Sequence, residues 1–337
     1  MYHCISRVVD RRMVFEPAER ERFRAIMRMQ EKFSGCRILS YCLMSNHIHI
    51  LLEVPPMPAE GISDAELLKR LSAIQTEAFV AVVAKELSDA RKEGNEALVA
   101  EIHARFTYRM HDLSEFMKTV LQRFTRWFNR THNRSGTLWE ERYKSVIVES
   151  GIAARTMAAY IDLNPVRAGM VSDPAEYRWS SYGEAVGGGP KGNGKKAREG
   201  LVRACMSHQG AGFEAEKWKE ISRVYRRAMG LALGRKSGNA TVEKGVVRPQ
   251  LNTAEALEAK ENGTVLPDLG MATMLRCRVR YFTDGAVIGS KAFVNEAFVG
   301  ARERFSAKRK DGARKLRGHA NPAANILWSA RDLRLRI

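Results

Sequence analysis

The stretch that most constrains this chain is a pair of apolar runs, Cys36 to Met44 and His47 to Val54, separated only by Ser45-Asn46. Two strand-length runs joined by a short polar turn read as a β-hairpin. Ahead of them, His3 to Val8 reads as a strand. Pro17 suits the first position of a helix, where its missing N–H is no loss. Phe23, Ile26, Met27 and Phe33 then recur at helical spacing. A β-α-β-β opening of this kind points to an antiparallel sheet with helices on one face, so the fold class is α+β. Pro55-Pro56-Met57-Pro58 ends the hairpin, because proline cannot donate to a sheet ladder.

Residues 63–105 read as helical, opened by a capping box in which Ser63 precedes Glu66. With its dense charges the segment 55–112 reads as a helical insertion with a solvated face. Leu113, Phe116, Met117, Val120, Leu121, Phe124 and Phe128 mark an amphipathic helix. Leu138 to Val148 reads as a further strand and Ser150 to Leu163 as a further helix. These elements set a first domain over residues 1–183. The glycine- and lysine-rich text that follows predicts a flexible basic linker over 184–200. Beyond it, 201–337 is expected to form a basic C-terminal module, α+β or helical, with a DNA-binding or accessory role. Within it, 201–234 reads as helical, 235–270 is poorly periodic, and Arg276 to Ile288 reads as a hairpin about Thr283-Asp284-Gly285. Ser290 is a candidate N-cap for a helix from Lys291 to about Phe305.

Charge narrows the partners. In 337 residues, Lys plus Arg number 56 against 38 Asp plus Glu, a formal net charge of +18. Such an excess suits a polyanion, nucleic acid before an acidic membrane surface. No apolar run approaches the ~20 residues that span a bilayer, so no membrane is expected as a partner. The opening MYHCISRVVDRR places charges where a signal peptide needs an apolar stretch. Cys4, Cys36, Cys42, Cys205 and Cys277 form no CxxC pair. That argues against a disulfide framework and a thiolate zinc site, and for a reducing, cytoplasmic setting.

The sharpest chemical feature is Asn46-His47-Ile48-His49-Ile50. Side chains alternate along a strand, so His47 and His49 share one face while Ile48, Ile50 and Leu52 point to the core. Two imidazoles side by side can chelate a divalent cation, or they can be two half-exposed histidines of an ordinary strand. Tyr160 and Asn164 lie four residues apart in a predicted helix and share a face. Pro165 sets Asn164 near the helix end. An Asn oxygen suits Mg²⁺ or Mn²⁺ beside imidazoles, with Tyr160 one turn away. Equally, Tyr160 can pack in a core and Asn164 can cap the helix. Tyr41 and Tyr177 have no metal-binding partner at i+4, Tyr143 can rest at a core edge, and no GxSxG supports a serine nucleophile.

The segments YCLMSNHIHILLEV, SGTLWEERYKS and YIDLNPVRAGMV, in this order, resemble the IS200-like single-tyrosine transposases, specifically the REP-associated tyrosine transposase branch. The likeness spans roughly residues 1–183. It implies an HUH endonuclease on a ferredoxin-like sheet, with His47 and His49 as metal-binding histidines, Tyr160 as nucleophile and Asn164 as third ligand. Relatives often carry glutamine where Asn164 stands. The implied cofactor is Mg²⁺ or Mn²⁺. The implied reaction is attack of Tyr160 on a DNA phosphodiester, giving a 5′-phosphotyrosine and a free 3′-hydroxyl that can reverse the step without ATP.

A free tyrosine is only about 0.1% ionised near pH 7, so a cation must assist, and Lys144 or Arg142 is placed in sequence to do so or to hold a phosphate. Arg123, Arg126, Trp127, Arg130 and Arg134 gather cations and a ring, the recipe for gripping single-stranded or hairpin DNA. Trp127 and Trp139 can equally be core anchors. The basic run 302–317 is either a solvated tail or a second grip on DNA. The expected partner is single-stranded or hairpin DNA, with a homodimer left open. The alternative is a domesticated DNA-binding protein that keeps the fold and does not cut, or an RNA-binding protein in which the histidine pair is incidental.

Overall fold

The computed structural model describes residues 1–206, 215–232, 280–304, 309–316 and 327–330. Strand β1 (Tyr2–Arg7) leads into helix α1 (Pro17–Ser34), which begins at Pro17 and stops at Gly35. Gly35 adopts φ 74°, the left-handed cap that glycine takes without strain. Strands β2 (Arg37–Leu43) and β3 (His47–Glu53) follow as the expected hairpin. Strand β3 pairs antiparallel with β1, setting Ile5 opposite His49 and Arg7 opposite His47. Strand β4 (Lys144–Val148) pairs antiparallel with the other edge of β1. The order β2-β3-β1-β4 is that of a ferredoxin-like sheet, and the α+β class is as read from the sequence.

Each face of this sheet is covered. On one, Cys4, Ile48, Ile50 and Leu52 pack against α1 and helix α5 (Leu113–Thr131) through Phe23, Met27, Phe116, Val120 and Phe124. On the other, Leu51, Val146 and Val148 meet helix α6 (Ile152–Asp162). The second face thus carries a core of its own. The apolar text of α6, buried from Thr156 to Asp162, is what closes it.

The insertion is helical as expected: α2 (Asp64–Leu71), α3 (Glu77–Lys92) and α4 (Glu96–Thr107). Ser63, Thr76 and Asn95 each cap one of them by accepting a backbone N–H. Leu67, Leu71, Val83, Leu87, Val99 and Ile102 join Phe33 of α1 in a small core of their own.

The expected linker is corrected. Residues 184–200 run from α8 (Ser181–Gly187), after the short α7 (Asn164–Arg167), into α9 (Gly192–Met206). Ala197, Leu201 and Ala204 of α9 pack into the second core. A Cβ on Gly200 would stand 2.5 Å from the Ile38 carbonyl oxygen, so the glycine serves close helix–strand approach.

The separate C-terminal module is corrected too. Helix α10 (Ala215–Ala232) brings Tyr225, Ala228 and Met229 into the same core. Strand β5 (Val287–Gly289) pairs parallel with β4, and β7 (Trp328–Ala330) and β6 (Arg314–Lys315) extend the sheet. Residues 280–283, expected in a hairpin, instead form one helical turn, α11 (Arg280–Thr283). Ser290 caps α12 (Lys291–Gly300) as expected, accepting from the Phe293 N–H. The stretch 235–270 lies outside the described residues, as do parts of the basic run 302–317. Among the described residues no helix is long and apolar enough to cross a membrane.

Candidate active site

Strand alternation builds the site. His47 and His49 project from β3 on the face toward α6, beside Ile5 and Arg7 of β1 and Lys144 of β4, which the pairing sets on the same face. Helix α6 carries Tyr160 over this patch, and Asn164 stands one turn further on. His47, His49, Tyr160, Asn164, Arg7, Arg142 and Lys144 line one cavity of about 360 Å³, with Glu140, Glu141 and Asp284 in its wall. The sequence-predicted histidines, tyrosine and asparagine are therefore brought together. A larger cleft of about 670 Å³ lies between α1, β2, α2 and α9, away from these residues. Among its cations, Arg28 pairs with Glu31, Arg70 with Glu66 and Lys196 with Glu199.

His49 is buried, His47 is half-buried, and both are held neutral. The His47 and His49 rings stand 5.0 Å apart, centroid to centroid. Burial, with Arg7 adding to it, pushes the His47 imidazole down to about 4. Burial also pushes His49 well below the ordinary histidine value, helped by His47, His3, Arg7 and Arg167. Asn46 Nδ2 donates to the Arg11 carbonyl, which turns Asn46 Oδ1 toward His47 Nδ1 at 2.7 Å. His47 must then donate from Nδ1, leaving Nε2 as a lone pair. Asn164 Nδ2 donates to the Tyr160 and Ile161 carbonyls at 3.3 and 3.2 Å, so its side-chain oxygen is the end left for the cavity. Asn164 is thus a helix cap through its nitrogen while keeping a hard donor through its oxygen.

This donor chemistry fits a divalent cation: an imidazole lone pair from His47, the ring of His49 and a carboxamide oxygen around one cavity. Among the described residues no three His, Cys, Asp or Glu side chains are grouped to hold a metal. The expected set has only two members of those types.

Tyr160 is 2% exposed. Its ring stacks on Phe282 with centroids 4.6 Å apart, and meets His49 and His3 edge-on at 6.1 Å each. Burial pushes its hydroxyl up to about 12, opposed by Arg167. The Arg167 guanidinium lies 4.8 Å over the Tyr160 ring, and its Nη1 donates to the Tyr160 carbonyl. Tyr41 donates to Glu184, Tyr177 donates to the Leu43 carbonyl, Tyr143 lies beside Ser114, and Tyr108 is exposed and does not line the cavity.

Of the expected DNA contacts, Arg142 and Lys144 reach the cavity. Lys144 pairs with Glu141 at 2.9 Å, and Arg142 bonds Ser114. Arg123, Arg126 and Arg130 sit on α5, which covers the opposite face of the sheet. Arg134 clamps its own loop through Asn129 and the Thr137 carbonyl. Trp127 is half-buried against Phe124, and Trp139 donates its indole N–H to Thr125 within the Phe15–Phe23–Phe124 cluster. Both rings are half-buried against the core.

A family described as "Transposase IS200 like" matches residues 1–77. Over these residues the chain is similar to that family. The matched stretch carries His47 and His49 and stops short of Tyr160, and it supports a transposase-like, DNA-acting function. A comparison with curated proteins finds no match. Among solved structures, one described as the REP-associated tyrosine transposase bound to a REP hairpin aligns at 12% identity with a TM-score of 0.35, covering 57% of this chain and 82% of that one.

Sequence reasoning missed His3, Arg167 and Phe282. His3 was legible in principle, since His3, Ile5 and Arg7 share one face of the first strand, the face that pairing sets beside His49. Arg167 lies in the same NPVR text as Asn164. Phe282 gave no signal, because its meeting with Tyr160 is a contact between distant parts of the chain.

Proposed function

We propose that this chain is a metal-dependent, single-tyrosine DNA endonuclease and strand transferase of the IS200-like, REP-associated kind, acting on single-stranded or hairpin DNA. The observation that carries the reading is the shared cavity of Tyr160, His47, His49 and Asn164. His47, His49 and Asn164 would hold Mg²⁺ or Mn²⁺, which when bound supplies polarisation of a phosphoryl oxygen.

The residues of the chain account for the rest. Arg7, Arg142 and Lys144 offer positive charge to the scissile phosphate at the cavity wall. The Tyr160 oxygen forms a bond to phosphorus while the bond to the 3′-oxygen breaks. The phenol loses a proton and the departing 3′-oxygen gains one. One phosphoester replaces another, so the 3′-hydroxyl of the same or another strand can reverse the step without ATP. A hydroxyl held at about 12 is ionised to only about one part in 10⁵ at pH 7, which asks for local positive charge. Arg167 over the ring favours the phenolate directly.

A second reading, a domesticated DNA-binding protein that does not cut, is favoured by one observation, the near-complete burial of Tyr160. Cleavage of an end-labelled single strand able to form a hairpin separates the two. Cleavage that needs Mg²⁺ or Mn²⁺ and is lost when His47 and His49 are both replaced by alanine, with DNA retention kept, supports the enzyme. Retention with no cleavage under any divalent ion supports the second reading.

A further inference from the structure

His3 lies wholly buried beneath the candidate site and belongs to none of its expected roles. Its Nδ1 stands 2.8 Å from the backbone carbonyl oxygen of Phe282, and its Nε2 stands 3.0 Å from His49 Nδ1. The His3 and His49 rings are nearly parallel, with planes 17° apart and centroids 5.1 Å apart.

The hydrogen positions along this chain follow by elimination. A carbonyl oxygen only accepts, so the proton between Phe282 and His3 sits on His3 Nδ1. A neutral imidazole carries one N–H, so His3 Nε2 is a lone pair. Two lone pairs cannot face each other at hydrogen-bond distance, so His49 Nδ1 carries the proton and donates it. His49 is neutral as well, which leaves its Nε2 as a lone pair. Among the described residues no hydrogen bond is made to that atom.

We infer that His3 is a positioning residue: the relay from the Phe282 carbonyl through His3 to His49 locks His49 in the Nδ1–H tautomer, with Nε2 presented as a ligand to a divalent cation. An outer hydrogen bond that fixes the tautomer and ring plane is what imidazole ligands commonly need. The His47 ring receives the same treatment from Asn46, so both imidazoles are set in one protonation pattern by different neighbours. The relay begins on residue 282, so the C-terminal region forms part of the catalytic centre and is not an appendage to it.

The inference rests on the metal-dependent reading above, and its test separates the two. Long-range ¹⁵N–¹H correlation spectra of the metal-free, ¹⁵N-histidine-labelled full chain read each tautomer directly, with no variant needed beyond those that assign the signals. The expected result is the Nδ1–H form at both His3 and His49. The Nε2–H form at His49 overturns the inference.

A second arm measures Mn²⁺ binding by electron paramagnetic resonance. His3→Leu removes the acceptor and is expected to weaken Mn²⁺ about 10- to 100-fold. His3→Gln, whose side-chain oxygen replaces the Nε2 acceptor, is expected to recover most of the affinity. Equal affinity in wild type and a folded His3→Leu chain overturns the inference. A wild-type chain that cleaves DNA with His49 in the Nε2–H form sinks the relay and leaves the function standing. One that shows both Nδ1–H tautomers yet neither binds Mn²⁺ nor cleaves sinks the function and leaves the tautomer assignment standing.

Discussion

Phe282 stacks on Tyr160 with ring centroids 4.6 Å apart and planes within 15°. The candidate nucleophile is therefore clamped by a residue from the far end of the chain on one side, with the Arg167 guanidinium also over its ring. Replacing Phe282 by alanine keeps the carbonyl that His3 uses and removes the ring. A buried phenylalanine truncated to alanine costs about 3–5 kcal/mol, of which the aromatic pair accounts for about 1. Chemical denaturation of Phe282→Ala is expected to show a loss of that size, with slower adduct formation at Tyr160. A stability loss below about 1 kcal/mol contradicts the packing described.

Arg167 lowers the proton affinity of Tyr160, since a positive charge over the ring favours the phenolate. Removing that charge raises the value, so any rate that climbs with phenolate must climb at higher pH. Arg167→Met is expected to shift the rising limb of the adduct rate to higher pH. Because Arg167 is part-exposed and screened by water, the loss near pH 7 is set at roughly tenfold, the size of a one-unit shift. Arg167→Lys should fall between. An unshifted pH profile counts against the electrostatic role.

Asp162 lies on α6 beside this site and is wholly buried. It accepts from the Tyr182 backbone N–H and from the Tyr225 hydroxyl. Burial pushes its carboxyl up to about 7, against those two hydrogen bonds. The folded chain then holds a proton that the unfolded chain gives up near its ordinary value, so stability falls as pH rises from about 4 to about 7 and levels off above. The expected loss across that window is on the order of 4 kcal/mol. Melting curves between pH 4 and 8 should show this decline in wild type and a flatter line in Asp162→Asn.

Glu184 is buried and takes charge-assisted hydrogen bonds from Arg24 and Arg28 of α1 and from the Tyr41 hydroxyl of β2. Truncation leaves two guanidiniums without that partner, one of them buried, and such losses run about 3–5 kcal/mol. Urea unfolding of Glu184→Ala is expected to show a loss in this range, whereas a residue in a flexible linker would show almost none.

The parts of the site written locally were legible in the sequence. His47 and His49 are related by strand alternation, and Tyr160 and Asn164 by one helical turn, so spacing alone sets each pair on one face. The β-α-β-β order of residues 1–54 carried the sheet in the same way. What spacing does not encode is how distant pieces meet. His3 reads as an ordinary strand residue until the pairing of β1 with β3 puts it against His49. The glycines of 184–200 misled because glycine serves both a loose tether and a close approach. The close approaches of Gly200 to the Ile38 carbonyl and of Gly188 to Gly194 distinguish the two. Arg276 to Ile288 carried strand-like residues around an Asp-Gly turn, yet residues 280–283 take one helical turn against Tyr160.

The central claim is that the Tyr160 oxygen becomes joined to DNA. Incubating the full chain with a labelled hairpin-bearing single strand and Mn²⁺, denaturing, digesting and mapping the labelled peptide by mass spectrometry tests it directly. The expected product is a peptide spanning residue 160 with a 5′-phosphonucleotide on its tyrosine, absent from Tyr160→Phe while that variant still retains the DNA. A label on another residue, or an adduct that survives Tyr160→Phe, contradicts the account.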